Sequence, residues 1–63
     1  MDKKEILLET IRVEELNLAT IETDFNNALK SENYYKCDKY KVEMNIQKKF
    51  IKTLQRLAYD MFR

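Results

Sequence analysis

No glycine and no proline occur anywhere in the 63 residues of this chain. Tight turns between β-strands depend on these residues, because glycine tolerates positive φ and proline presets the turn. A sheet protein of this length without either would be unusual. Charged residues make up 37% of the chain, which together with the missing turn residues favours long, solvated helices. The sequence therefore predicts an all-α fold.

The short length of the chain suggests that it needs additional stabilisation. A domain of this size buries only about 60% of its unfolded surface when it folds alone, and small domains usually add a disulfide, a metal or a partner chain. Cys37 is the only cysteine and histidine is absent, so an internal disulfide cannot form and a zinc site lacks its four ligands. We therefore expect no cofactor, and we expect association with another chain.

Apolar residues recur at alternating spacings of four and three residues, the pattern of a helix packed along a neighbour. One such seam runs through residues 7–28 and a second through residues 40–61, and the polar residues 31–33 separate them. The pattern predicts one antiparallel helical-hairpin domain with these bounds: domain 1–63, first helix 3–30, turn 31–33, second helix 34–62.

Two polar residues interrupt the seams, Glu14 in the first and Gln47 in the second. A carboxylate that faces a core must be paired or have a shifted pKa. The favoured interpretation of Glu14 is a seam-edge residue that pairs with a lysine or reaches solvent, and the alternative is a residue that sets the helix register. Gln47 is either a satisfied buried amide or a determinant of specificity between chains.

The segment ALKSENYYKCDKYK, residues 28–41, resembles the turn of a tetratricopeptide-type helical hairpin. The resemblance implies the turn and nothing further. Asn33 tolerates the left-handed conformation that ends a helix, and Ser31 or Asn33 can cap the next one. Cys37 is expected to be a small packing residue that function does not need. The alternative is a thiol activated by the neighbouring lysines.

Both helices carry more apolar surface than one seam uses. The apolar arc of the second helix is about 160° wide, against roughly 100° for a helix that faces a single core. On the first helix, the branched residues Ile6, Val13 and Leu16 lie roughly opposite the seam. A second hairpin would cover this surface, so we predict a homodimeric four-helix bundle. The predicted protein-interface residues are Ile6, Val13, Leu16, Phe50, Leu54, Leu57 and Met61.

Charge differs in sign between the two halves, although the net charge of +1 provides no overall field for attracting nucleic acid. Residues 1–33 hold eight acidic and four basic side chains, a balance of −4, and residues 34–63 hold three acidic and eight basic, a balance of +5. Antiparallel packing would place opposite signs along the flanks of the hairpin, which favours pairing of unlike helices.

A row of basic residues about 33 Å long follows one side of the second helix. Such a row could track a phosphate backbone, although the favoured interpretation is a solvated face that balances the acidic helix. The candidate anion- or nucleic-acid-binding residues are Lys41, Lys48, Lys52, Arg56, Tyr59 and Arg63.

Three tyrosines near the turn, Tyr34, Tyr35 and Tyr40, form a second candidate site. With the nearby lysines they could stack on a nucleotide. The favoured interpretation is that Tyr40 and one neighbour seal the end of the core while the rest is surface.

Catalysis is not expected, because the chain lacks histidine and has no evident pair of general acid and base. The lone thiol, the lack of a secretory signal and the lack of an apolar run of about 20 residues indicate a cytoplasmic protein without a membrane partner. The many Lys, Ile, Asn and Tyr residues suggest an AT-rich genome, such as that of a low-GC bacterium or its phage, and a protein encoded by a phage or plasmid.

The predicted function is a non-enzymatic helical module that binds itself and an unidentified protein, as a regulator or inhibitor occupying the surface of that partner. One alternative is an RNA- or DNA-binding bundle that uses the basic row. The other is an oligomer that sequesters an anionic nucleotide near the tyrosines.

Overall fold

The computed structural model describes residues 2–62, which form two α-helices joined by a short turn. Helix α1 spans Lys3–Lys30 and helix α2 spans Tyr34–Met61, and the two pack against each other as a hairpin. Residues 2–62 contain no strand, so the prediction of an all-helical pair is confirmed. Helix α2 ends one residue before its predicted end, with Phe62 as its C-cap. The hairpin measures 46 × 18 × 11 Å.

Each helix begins at a side chain that accepts a hydrogen bond from the first turn. The Asp2 carboxylate accepts from the backbone N–H of Glu5 at 2.9 Å, and the Asn33 side chain accepts from the N–H of Lys36 at 3.2 Å. Such caps satisfy backbone donors that have no partner within the helix, and each is worth about 1 kcal/mol. Of the two predicted caps, Ser31 and Asn33, it is Asn33 that caps α2.

The turn closes through two backbone hydrogen bonds. The N–H of Glu32 donates to the carbonyl of Leu29 at 3.0 Å, and that of Asn33 donates to the carbonyl of Ala28 at 2.9 Å. This pair of bonds is the Schellman motif, which requires a left-handed residue just after the helix. That residue is Glu32, with φ of 58°. The expectation that Asn33 would be left-handed is wrong, because Asn33 caps α2 and a cap residue needs negative φ.

The core is a single seam between the helices. Ile11, Leu54 and Ala58 form its buried cluster, with Leu7 packed against them. Toward the turn the buried residues are small, namely Ala28 and Cys37, so the two backbones can approach closely there. The thiol of Cys37 is buried, which fits a packing residue better than a reactive thiol.

Candidate functional site

A polar link between the helices sets their register. The side-chain amide of Gln47 donates to both the backbone carbonyl and the carboxylate of Glu14, each at 2.9 Å. Asn17 donates to the same carboxylate oxygen at 2.8 Å. These bonds hold position 14 of α1 beside position 47 of α2. The two residues that interrupt the seams are therefore each other's partners, and Gln47 is a satisfied amide within one chain.

Hydrogen bonds to the ionised form lower the pKa of the Glu14 carboxyl below its ordinary value of 4.5. The bond from Gln47 is the larger cause and the bond from Asn17 the smaller, and partial desolvation opposes both. Two amides and not a lysine hold the Glu14 carboxylate, and the residue keeps partial exposure to solvent. Neutral amide donors from both helices thus satisfy the carboxylate.

An apolar groove of about 430 Å³ lies at the open end of the hairpin, where α1 begins and α2 ends. Leu7 and Leu54 belong to the core and form its floor. Exposed Ile6, Leu57 and Met61 form its rim. Both helices therefore contribute to one concave apolar surface. The groove is lined by Lys3, Ile6, Leu7, Thr10, Leu54, Leu57 and Met61.

Heptad spacing extends this surface toward the middle of the hairpin. A step of seven residues returns to nearly the same side of a helix, so Val13 continues the side of Ile6 and Phe50 continues the side of Leu57. Ile46 lies one turn before Phe50. The register set by Glu14 and Gln47 brings these side chains to neighbouring positions along the length of the hairpin. We name this surface the apolar face, and its exposed members are Ile6, Val13, Ile46, Phe50, Leu57 and Met61.

The structure places the predicted interface residues in different surroundings: some line the groove, one is in the core and one faces elsewhere. Leu54 is 9% exposed, belongs to the core of the single hairpin and also lines the groove, so its part in an interface stays a prediction. Ile6 lies in the groove beside the seam residue Leu7, whereas helical spacing predicted a position roughly opposite the seam. Leu16 is exposed but does not line the groove, because it lies roughly opposite the seam residue Leu7 on α1. Ile46 belongs to the face although the predicted set omitted it.

The same side of the hairpin becomes polar toward the turn. A shallow pocket of about 190 Å³ opens there. Asp24 lies two heptads after Thr10 of the groove, and Lys36 lies three heptads before Leu57, so the pocket continues the apolar face along the molecule. The pocket is lined by Asp24, Asn27, Ala28, Ser31, Asn33, Lys36 and Tyr40.

The three tyrosines do not converge on one site. Tyr40 is half-buried against α1 and lines the polar pocket. Tyr34 and Tyr35 lie in the first turn of α2 and are exposed, Tyr35 by 84%. An aromatic platform that uses all three is therefore not assembled in the single chain.

The predicted basic row is exposed along α2 at Lys41, Lys48, Lys52 and Arg56, and Tyr59 is also exposed. Arg63 lies outside the described residues. Within residues 2–62 the recorded ion pair joins Arg12 to Glu9 at 3.3 Å inside α1, so the expected pairing of opposite charges between the helices is not formed as direct contacts.

The structure adds Lys49 to this basic surface. Lys49, Lys52, Thr53 and Arg56 line one shallow depression of about 240 Å³ on α2. Their spacing of three and four residues, which places side chains on one helical face, would have identified Lys49 from the sequence.

Over the described part of the chain, no group of three Cys, Asp or Glu side chains is arranged to hold a metal ion. Neither helix contains, within residues 2–62, a stretch long and apolar enough to cross a membrane. No protein-family model matches the chain, and neither a curated protein nor a solved structure shows significant similarity to it. Its function is therefore inferred from the geometry of its own two helices.

Proposed function

We propose that this chain is a non-enzymatic protein-binding module that acts through its apolar face. The observation that carries the proposal is the exposure of its six large apolar side chains, which ranges from 42% to 63% on one side of the hairpin. Full burial of such a side chain is worth about 1.5–3 kcal/mol. Contiguous exposed apolar patches mark interaction sites, whereas scattered apolar residues do not.

A second copy of the chain is the proposed occupant of this face. The single hairpin has a core of one seam, and Leu7 and Leu54 of that seam line the groove. A second hairpin laid on the groove would turn this seam into the centre of a four-helix bundle. Domains of about 60 residues commonly gain their remaining stability in this way.

The cellular role that fits such a module is regulation or inhibition of another protein by occupying its surface. The residues of the chain offer no evident catalytic group, so binding is the activity that selection could act on. A cytoplasmic protein of phage or plasmid origin remains our proposal for its setting, on the compositional grounds given above.

Leu57→Glu tests the proposal, with Leu8→Glu as its matched control. Leu57 and Leu8 are both leucines of nearly equal exposure, 49% and 47%. Leu57 lies in the groove, whereas Leu8 lies on the other side of Leu7 from Ile6 and does not line it. Burying an unpaired carboxylate costs several kcal/mol, so only the change at Leu57 should prevent association.

Light scattering of the unmodified chain should give twice the 7.7 kDa mass of one copy. Leu57→Glu should give a helical monomer and Leu8→Glu a dimer. An unmodified chain that is monomeric and well folded at tens of micromolar would refute self-association. Equal effects of both variants would show that the apolar face is not the contact surface.

A second candidate function is binding of RNA or DNA by the basic surface of α2. The grouping of Lys49, Lys52 and Arg56 around one depression favours it. Three cations along a helix can neutralise consecutive phosphates, and binding should then weaken steeply with salt. Gel shifts with duplex and single-stranded probes, repeated with Lys52→Glu and Arg56→Glu, separate this activity from protein binding.

A further inference from the structure

We infer that the two copies stack their apolar faces in the same direction, with both turns at one end of the bundle and α1 of each copy beside α2 of the other. This inference rests on the proposed homodimer and specifies its arrangement. Two hairpins stacked face to face can be related by a twofold axis that runs either along the helices or across them. The axis along the helices gives the proposed arrangement.

The first argument is the change of polarity along the face. In the open half, heptad-related positions of α1 carry Ile6 and Val13, and the next two positions of the series carry Thr20 and Asn27. On α2 the series that contains Leu57 and Phe50 continues to polar Glu43 and Lys36. One side of the hairpin is thus apolar over its open half and polar over its turn half.

Stacking in the same direction places the apolar half of each copy on the apolar half of the other. Full antiparallel overlap would instead lay the groove against the partner's polar pocket and bury Asp24 and Lys36 beneath apolar side chains. Charged groups buried without partners are costly, so full antiparallel overlap is disfavoured.

A half-overlapped antiparallel dimer would also join the two open halves, and charge decides against it. In that arrangement each helix lies on the same helix of its partner. Residues 46–61 of α2 carry four basic side chains and one acidic, a balance of +3. Residues 2–16 carry five acidic and three basic, a balance of −2. Segments of like net charge would then lie on adjacent helices in both pairs.

The proposed arrangement places the positive segment of α2 beside the negative segment of α1 from the other copy. Each exposed pair contributes little by itself, but the sum selects between arrangements that bury the same apolar surface. At the turn end, Asp24 and Lys36 line one pocket within a chain. Stacking in the same direction brings each of them near the opposite charge of the partner. In this arrangement the apolar halves of the two copies contact each other, and opposite charges lie near each other at the turn end.

Distances between spin labels distinguish the three arrangements. The background variant is Cys37→Ala, which leaves no other thiol. Single cysteines are introduced at Glu5, near the open end, and at Tyr35, near the turn, and both sites are exposed. The label pairs are measured in separate proteins, with dilution by unlabelled chain to show that each distance is between copies. Circular dichroism and light scattering confirm that each labelled chain stays helical and dimeric.

We expect both label pairs to lie within roughly 30 Å, because neighbouring helix axes in a bundle are 8–10 Å apart. Full antiparallel overlap would place both pairs about 40 Å apart, the length of a 28-residue helix. Half overlap would keep the pair at position 5 close and move the pair at position 35 beyond the 46 Å length of one hairpin. Either of these two results overturns the arrangement while leaving the homodimer in place. The absence of any distance between copies, with a monomeric mass, overturns the homodimer itself.

Discussion

The two ends of this hairpin are stabilised in different ways. At the turn, backbone hydrogen bonds, the Asn33 cap and the small buried residues Ala28 and Cys37 close the structure within one chain. At the open end, large side chains surround a groove that the chain leaves uncovered. Local bonds satisfy polar groups one at a time, but apolar area needs a surface to cover it. The turn end is complete by itself, and the open end is where a partner gains the most.

Leu54→Ala gives the largest expected loss of stability, because it removes the floor of the open end. Leu54 is buried against Ile11 and Ala58. Removing a buried leucine side chain costs about 2–5 kcal/mol, through lost burial and the cavity left behind. Urea unfolding should show this loss, whereas Leu8→Ala should change stability far less. Equal losses from the two variants would mean that the seam is not the core.

Gln47→Ala tests the polar link that lies between the two ends. Loss of the neutral bond to the Glu14 carbonyl should cost about 1 kcal/mol. The same variant should also change the dependence of stability on pH. The folded-state pKa of Glu14 is lowered, chiefly by Gln47, so its contribution is present above the ordinary value of 4.5 and is lost as the pH falls through the lower folded-state pKa.

Unfolding of the unmodified chain should therefore become easier as the pH falls below 4.5, and this acid-dependent loss should shrink in Gln47→Ala. Asn17→Ala is the matched control, since it removes the smaller cause of the same pKa shift and should flatten the acid loss less. If Gln47→Ala leaves the acid dependence unchanged, the link across the helices does not hold Glu14.

Glu32→Gly should give the smallest effect, and a gain in stability. Glu32 holds a left-handed backbone with φ of 58°, which costs a residue with a Cβ roughly 1 kcal/mol or more. Glycine avoids this cost but loses more entropy on folding, so the net gain should be below about 1 kcal/mol. Glu32→Ala removes the same charge and keeps the Cβ, so it should bring no such gain. A higher melting temperature for alanine than for glycine would contradict the Schellman geometry.

Much of the fold follows from spacing along the chain. The seam positions, the two helices and the break after residue 30 could be predicted, because the geometry of a helix converts a spacing of three and four residues into one face. The cap at Asn33 was predictable for a similar reason, because its side chain accepts a hydrogen bond from Lys36, only three residues further along the chain. Each of these features depends on neighbours that are close in sequence.

The sequence by itself therefore determined the helical hairpin, the presence of more apolar surface than one seam uses, and the opposite charges of its two halves. Only the tertiary structure decided that Gln47 is the partner of Glu14, since that bond joins residues 33 positions apart and depends on the register of the two helices. The tertiary structure likewise placed Ile6 with Leu57 and Met61 in one groove. The sequence gives the angular position of a residue around its own helix. A groove shared by two helices depends in addition on how far one helix is shifted along the other and on how each is rotated about its axis.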